Sequence, residues 1–129
     1  MATRAKKGKA KAKKTYKLQV VLDTTAESGE AEVIVIPRHL SVGPGSSSLR
    51  WIQISNEPFA FHSLRTSEMP NPFHPINVTS KVLTAQYNNA GGNKEIEYTI
   101  EVIHKNKVRS TVPGGGPVGN GGGPTIKNN

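Results

Sequence analysis

The chain has 129 residues, a formal net charge of +8 and no cysteine, and its length suits one small domain. Without cysteine it forms no disulfide, no thiolate metal site and no cysteine nucleophile. Residues 1–17 hold eight of the 17 Lys and Arg and none of the nine Asp and Glu, so the rest of the chain is formally neutral.

The chain begins with a basic arm, predicted to be disordered over residues 1–16. The arm has Ala and Gly between its lysines and no aromatic side chain before Tyr16, which suits non-specific contact with phosphates rather than base stacking. An inert solubilising tail and an anionic membrane surface are the alternatives, although the arm has no apolar face to insert into lipid. The predicted polyanion-binding residues are Arg4, Lys6, Lys7, Lys9, Lys11, Lys13, Lys14 and Lys17.

The first half of the body is predicted to form strands. Alternating apolar residues indicate a strand over 16–23, and a β-branched run over 31–36 indicates a second, central strand that a proline ends. Residues 41–48 contain Gly-Pro-Gly and four serines and are predicted to be a loop. Strand structure returns over 49–55, where the only tryptophan, Trp51, is the expected core anchor.

The second half continues the same pattern. Residues 59–64 are predicted as a short strand, and 69–75 as an ordered loop because its three prolines restrict the backbone. The pattern over 76–87 fits a helix or a strand, and its β-branched content favours extended structure. The clearest strand spans 95–102, where apolar residues alternate with Glu and Thr, so one face is core and the other is acidic.

The C-terminal segment, residues 113–129, is predicted to be mobile because residues 113–124 contain seven Gly and three Pro. A last short strand over 125–127 is left open. About seven short strands and no long amphipathic helix predict an all-β protein, a single Greek-key β-sandwich over residues 17–112. The chain thus divides into the basic arm, the sandwich and a Gly/Pro-rich segment.

Several segments match one known family in their order along the chain. They are 33–36, 43–45, 49–52, 56–58 and 97–102. With His62 after the Trp-bearing strand, they make the body similar to a cupredoxin-like domain. In that family, copper is held by such a His and by a Cys, a second His and usually a Met in the loop after the Tyr-bearing strand. His62 matches the first ligand, but the chain has no cysteine and no His after His104, so the copper chemistry is missing.

A smaller match points to a copper-free subset of such sandwiches. Residues 71–73 and 123–126 resemble its Asn-Pro-Phe motif and its last strand, with Gly123 in place of the usual acid. The resemblance therefore implies a fold and not an activity.

Histidines and carboxylates form no strong metal or catalytic motif. His62 and His104 are the weak metal candidates, but no His pair has the close spacing of structural zinc sites, and no cofactor is predicted. The chain has no Gly-x-Ser-x-Gly motif, and the glutamates over 95–101 alternate along one solvent face. We therefore expect that the protein is not an enzyme.

The proline loop, residues 69–75, presents Met69, Phe73 and His74 on a stiff backbone. Two interpretations remain open. The loop is either a recognition loop that binds a partner or a plug that closes one end of the sandwich.

The expected function is a non-enzymatic binding or accessory module that associates non-specifically with nucleic acid or another polyanion through the arm. One alternative is a structural, self-assembling capsid-type β protein, with homo-oligomerisation left open. Another is a copper-free or weak metal- or small-ligand-binding domain. A cytoplasmic location is expected, since no hydrophobic signal region follows the arm and no apolar run is long enough to span a membrane.

Overall fold

The computed structural model describes residues 14–25, 32–54, 58–89, 92–111 and 123–128. Within these ranges the chain forms ten β-strands and no helix. The strands are β1 (Lys14–Leu22), β2 (Val33–Ile36), β3 (His39–Val42), β4 (Gly45–Gln53), β5 (Ala60–Thr66), β6 (Phe73–Val78), β7 (Val82–Asn89), β8 (Glu95–His104), β9 (Lys107–Ser110) and β10 (Thr125–Asn128). The predicted all-β class is confirmed.

Two sheets contain these strands. The five-stranded sheet has the order β2-β1-β4-β7-β6, and the second sheet has the order β3-β10-β8-β5, with β9 also paired to β8. Most neighbours are antiparallel, but β1 and β4 are parallel, as are β3 and β10. The described residues therefore form two mixed sheets, an arrangement consistent with a β-sandwich.

Alternation of apolar and polar residues determines which side of each strand is buried. On β1, Leu18, Val20 and Leu22 are buried, and the residues between them are more exposed. On β8, Ile96 and Val102 are buried, while the glutamates lie on the other side of the strand. Each fully buried side chain of this kind contributes about 1.5–3 kcal/mol, so the inner sides of the sheets supply the core.

Four aromatic side chains join the two sheets. Trp51 of β4 is fully buried and packs edge-on against Tyr98 of β8, with ring centroids 5.6 Å apart. The indole Nε1 of Trp51 donates a hydrogen bond to the Tyr98 hydroxyl at 3.2 Å. Phe73 and Tyr87 complete the cluster, with ring centroids 5.3 Å apart, and the Tyr87 hydroxyl donates to Asn128 Oδ1 at 2.5 Å. The expected role of Trp51 as core anchor is confirmed.

The prediction of a loop over residues 41–48 is wrong. Its first two residues belong to β3 and its last four to β4, with only Gly43 and Pro44 between the strands. Glycine is depleted in strands, but β4 lies between β1 and β7 and pairs with both. Gly45 has a φ of 91°, which glycine adopts without steric cost. Non-local pairing therefore outweighs the local turn signal.

Two other strand predictions change. Among the described residues β2 lies at the edge of the five-stranded sheet and not at its centre. The extended prediction for 76–87 is confirmed, but a turn separates β6 from β7, and the Thr79 N–H donates to the Val82 carbonyl there at 2.9 Å. β6 already begins at Phe73, and Pro75 lies in this edge strand near a shift of register, a position that tolerates the missing N–H of proline.

The sheets include residues on both sides of the predicted 17–112 body. β1 begins at Lys14, so residues 14–16 of the basic arm lie in a strand. The last short strand is confirmed as β10, and it lies between β3 and β8. The predictions of disorder for residues 1–13 and of mobility for 113–122 concern residues outside the described ranges. No helix long and apolar enough to cross a membrane occurs in the described part of the chain.

Candidate functional site

The predicted polyanion-binding residues divide at the start of β1. Lys14 and Lys17 lie in this strand and are exposed. The other six lie outside the described residues: Arg4, Lys6, Lys7, Lys9, Lys11 and Lys13. The basic arm therefore joins the body at one end of a strand that is flanked by β2 and β4.

Parallel pairing of β1 with β4 places Lys17 beside Arg50. The two residues are register partners, and each precedes a buried residue, so both side chains point to the outer side of the five-stranded sheet. Neighbouring strands lie about 4.8 Å apart, so two positive charges stand next to each other. Sequence reasoning did not find Arg50 as a site residue. Its outward direction follows from alternation with Trp51, but its position beside Lys17 depends on a non-local strand pairing.

A groove with several polar side chains lies on the same outer side. It has a volume of about 360 Å³ and is lined by Thr15, Ser48, Leu49, Arg50, Pro75, Asn77, Thr84, Ala85 and Gln86. The hydroxyl and amide side chains among these residues are hydrogen-bond donors. Gln86 Nε2 donates to Ser48 Oγ at 3.1 Å, which leaves the Ser48 proton available to another acceptor. The outer side of β1, β4 and β7, with Lys17, Arg50 and this groove, is termed the cationic face.

The two cations of the cationic face differ from three other basic residues of the body. Three described ion pairs hold basic residues elsewhere: Arg65–Glu101 at 3.2 Å, Arg109–Glu32 at 3.0 Å and Lys94–Glu68. Within the described ranges, Lys17 and Arg50 have neither an ion pair nor a side-chain hydrogen bond. Like charges on neighbouring strands are destabilising, and an anion bound between the two side chains would relieve their repulsion.

The described acidic residues lie away from the cationic face. Asp23 and Glu32 are near the end of β1 and the start of β2, at the opposite end of β1 from Lys14. The other four lie in β8 or in the loop after β5: Glu68, Glu95, Glu97 and Glu101. The described part of the body therefore leaves the positive charge of this face without a neighbouring acid.

The cationic face carries no aromatic side chain. The single Trp, three Tyr and three Phe of the chain are all buried or packed against the core, so a platform for base stacking is missing. Cations with hydroxyl and amide donors are the groups that contact phosphate oxygens. No protein-family model matches the chain, and no curated protein sequence matches it. The chemistry of the site therefore follows from these side chains alone.

The two weak metal candidates have different environments. His62 is exposed in β5, where the register with β8 shifts between Phe61 and Ser63. His104 is 4% exposed at the end of β8. No group of three His, Asp or Glu side chains suited to a metal ion occurs among the described residues.

The proline loop gives its three candidate residues different positions. Phe73 is 1% exposed within the aromatic cluster, which fits the plug interpretation. Met69 is 85% exposed, and His74 is exposed on β6, so these two residues are the ones available for recognition. Met69 lines a groove of about 150 Å³ that also includes the Glu68 and Lys94 ion pair.

The buried tyrosines act as hydrogen-bonding groups between the sheets. Burial raises the pKa of Tyr87 from its ordinary value of 10.0 to about 12, although its hydrogen bond to Asn128 opposes this shift. Burial also raises the pKa of Tyr98, against the opposing effect of the hydrogen bond from Trp51. Both hydroxyls therefore keep their protons at neutral pH.

Proposed function

We propose that the protein is a non-enzymatic binding module that associates with nucleic acid through its basic arm and the adjoining start of β1. The observation that carries this proposal is the charge distribution, since the whole formal net charge of +8 lies in residues 1–17. Cations that neutralise phosphates release counterions, which gives binding without sequence preference and with a strong dependence on salt.

The position of Lys14 and Lys17 on β1 supports this proposal. Both are exposed cations that continue the basic arm onto the body. Arg50, beside Lys17, adds a positive charge from another strand. A stripe of cations clustered on one surface is the electrostatic feature expected of a nucleic-acid-binding protein.

The proposal is tested by removing residues 1–13, which leaves β1 intact from Lys14 onward. Binding to a short DNA duplex and to an RNA duplex is measured by fluorescence anisotropy across a salt series. If all eight cations contact phosphates, log K against log salt has a slope of about −7, and removing six of them brings it to about −2. A chain with the same arm composition in scrambled order is the control and keeps the steep slope. Equal slopes for the full and shortened chains contradict the proposal.

Exposed apolar residues near β2 favour a second candidate function, self-assembly as a capsid-type structural protein. Ile34 and Ile36 of β2 are 41% and 46% exposed, and Ile54 after β4 is 45% exposed. β2 is an edge strand among the described residues, and an exposed apolar edge promotes pairing between chains. Light scattering is expected to show a large, concentration-dependent species. Ile36→Thr dissociates it and Val108→Thr, a matched change at an exposed position of β9, does not; a monomer at all concentrations excludes this candidate.

We also propose that the sandwich is cupredoxin-like and lacks the copper centre. Segments that carry the resemblance fall in β2, β4 and β8, and His62 lies in β5, the strand that follows the one with Trp51. The family's thiolate ligand has no counterpart in the sequence. Calorimetric titration with copper and with zinc is expected to show no tight binding. Tight binding that His62→Ala removes contradicts this assignment and supports the metal alternative.

A further inference from the structure

We infer that the cationic face is a second contact site for nucleic acid, in which Lys17 and Arg50 bind phosphates of the duplex that the basic arm also contacts. This inference rests on the proposed function and gives the folded body a direct part in it. The arm alone explains attachment to a polyanion, whereas the cationic face determines which side of the body lies against it.

The charges of the cationic face favour an anionic ligand. Lys17 and Arg50 are register partners on parallel strands, and within the described ranges neither has an ion pair or a side-chain hydrogen bond. A phosphate between them relieves the repulsion of two like charges. Arg50 offers a planar guanidinium that donates two parallel hydrogen bonds to a phosphate, and Lys17 offers a compact charge.

Neutral donors beside these cations suit the same ligand. Two rows of register partners cross the sheet from β1 to β7: Thr15–Ser48–Gln86 and Lys17–Arg50–Thr84. Hydroxyl and amide side chains, together with Arg and Lys, make most protein contacts to phosphate oxygens. All of these residues except Lys17 line the groove of about 360 Å³, which is therefore a concave surface with several donors next to Lys17.

The cationic face is continuous with the basic arm. β1 begins at Lys14, and Lys17 follows three residues later, about 10 Å along an extended strand. Thr15, between them, lines the groove. A phosphate backbone that follows the arm to its junction with the body therefore meets Lys17 and Arg50 next.

The ligand is the phosphate backbone of a duplex and not a set of splayed bases. No Phe, Trp or Tyr of this chain is exposed on the cationic face, and single-strand binding surfaces depend on such rings for stacking. The described ranges also contain no helix to enter a groove and read base edges. The contact is therefore expected to be tolerant of sequence and sensitive to salt.

The test uses the full chain with Lys17→Gln and Arg50→Gln combined, so that the basic arm stays present. The matched control combines Lys107→Gln with Lys127→Gln, which removes the same charge from exposed positions of β9 and β10. Binding to short DNA and RNA duplexes, to a single strand and to anionic vesicles is measured across a salt series. Tryptophan fluorescence against urea confirms that each variant is folded, since Trp51 lies in the core.

We expect the Lys17→Gln/Arg50→Gln chain to lose about two units of the salt slope on duplexes, which is about 30-fold in affinity at 0.15 M salt. The control keeps the slope of the unchanged chain. Equal losses in both variants overturn the inference, because net charge alone then explains binding. An unchanged slope in the Lys17→Gln/Arg50→Gln chain, with loss of binding on removal of residues 1–13, overturns the inference and leaves the proposed function standing. Binding to vesicles and not to duplexes overturns both.

Discussion

The outer sides of the two sheets differ in how their charges are satisfied. On the second sheet every glutamate of β8 accepts a hydrogen bond: Glu95 from Thr125 at 3.1 Å, Glu97 from the Gly123 N–H at 2.9 Å, and Glu101 from Ser63 at 2.6 Å and Arg65 at 3.2 Å. On the cationic face, Lys17 and Arg50 have no such partner within the described ranges. The glutamates of β8 therefore stabilise their own sheet, whereas Lys17 and Arg50 stand side by side and are available to a ligand.

Thr125 of β10 forms side-chain hydrogen bonds to both neighbouring strands of the second sheet. Its Oγ1 donates to Glu95 and lies 2.6 Å from His39 Nδ1. Because a hydroxyl has one proton, His39 must then donate to Thr125 from Nδ1. This link crosses β3, β10 and β8, so side chains support the same strand pairing as the backbone.

The largest loss of stability is expected from a substitution in the aromatic contact that joins the two sheets. Trp51→Ala deletes the central aromatic contact and the hydrogen bond to Tyr98, and is expected to lower the free energy of unfolding by about 3–5 kcal/mol. Ile52→Ala, at the next and only partly buried position of β4, is the control and costs less. Urea denaturation followed by circular dichroism measures both. Equal losses at the two positions contradict the central role of Trp51.

The core tyrosines make the stability of the folded body depend on pH in alkaline solution. In the folded state the pKa of Tyr87 is about 12 and that of Tyr98 is also raised, against an ordinary value of 10.0. The folded state therefore holds these protons more tightly than the unfolded state. Their contribution to stability is fully present below pH 10.0 and is lost as the pH rises through the folded pKa values.

Urea unfolding midpoints are expected to stay constant, as far as these tyrosines are concerned, up to about pH 9 and to fall above about pH 10. Tyr87→Phe makes this fall shallower, because one of the two titrating hydroxyls is gone. A fall of unchanged steepness in that variant is the contradicting result.

A smaller loss of stability is expected when only the hydrogen bond between the two sheets is removed. Tyr98→Phe removes the acceptor of the buried Trp51 Nε1–H, which is expected to cost about 1–3 kcal/mol because the donor is left unsatisfied. Tyr16→Phe is the control, since the Tyr16 hydroxyl accepts only a long, partly buried bond from the Gly43 N–H at 3.4 Å. Comparable losses in the urea experiment show that hydroxyl removal, and not the bond between the sheets, is responsible.

The smallest effects are expected from two single substitutions, each of one arginine on the outer side of one sheet. Arg65→Gln breaks a partly exposed ion pair with Glu101 and is expected to cost about 0–1 kcal/mol of stability, with little change in the salt slope of duplex binding. Arg50→Gln is expected to leave stability within about 0.5 kcal/mol and to reduce the salt slope by about one unit. Urea denaturation measures the stability of the two variants, and fluorescence anisotropy measures their salt slopes. Identical salt slopes in the two variants contradict the difference between the faces.

Local sequence patterns were sufficient to predict the strands in which buried and exposed residues alternate. The alternation over 95–102 identified β8, and the single tryptophan identified the core anchor. The loop over 41–48 was mispredicted because Gly, Pro and Ser signal turns locally, while β4 there is held by β1 and β7. The central position of β10 likewise depends on partners that are distant in sequence.

The candidate site could likewise be predicted only in part from the sequence. The charge of the basic arm is visible in the sequence, and so is the outward direction of Lys17 and Arg50 from alternation. Their adjacency is not visible, because it requires the parallel pairing of β1 with β4 across more than 30 positions. The absence of any described acid beside them also depends on which strands are neighbours.

Contact between the cationic face and a duplex is measured most directly by lysine acetylation of the full chain, read by mass spectrometry with and without a DNA duplex. Lys17 lies on the cationic face, Lys14 begins the same strand, and Lys107 and Lys127 lie on strands of the second sheet; all four are exposed. We expect the duplex to protect Lys14 and Lys17, together with the other arm lysines, and to leave Lys107 and Lys127 as reactive as before. Protection confined to residues 1–13, or equal protection of Lys107 and Lys127, contradicts it.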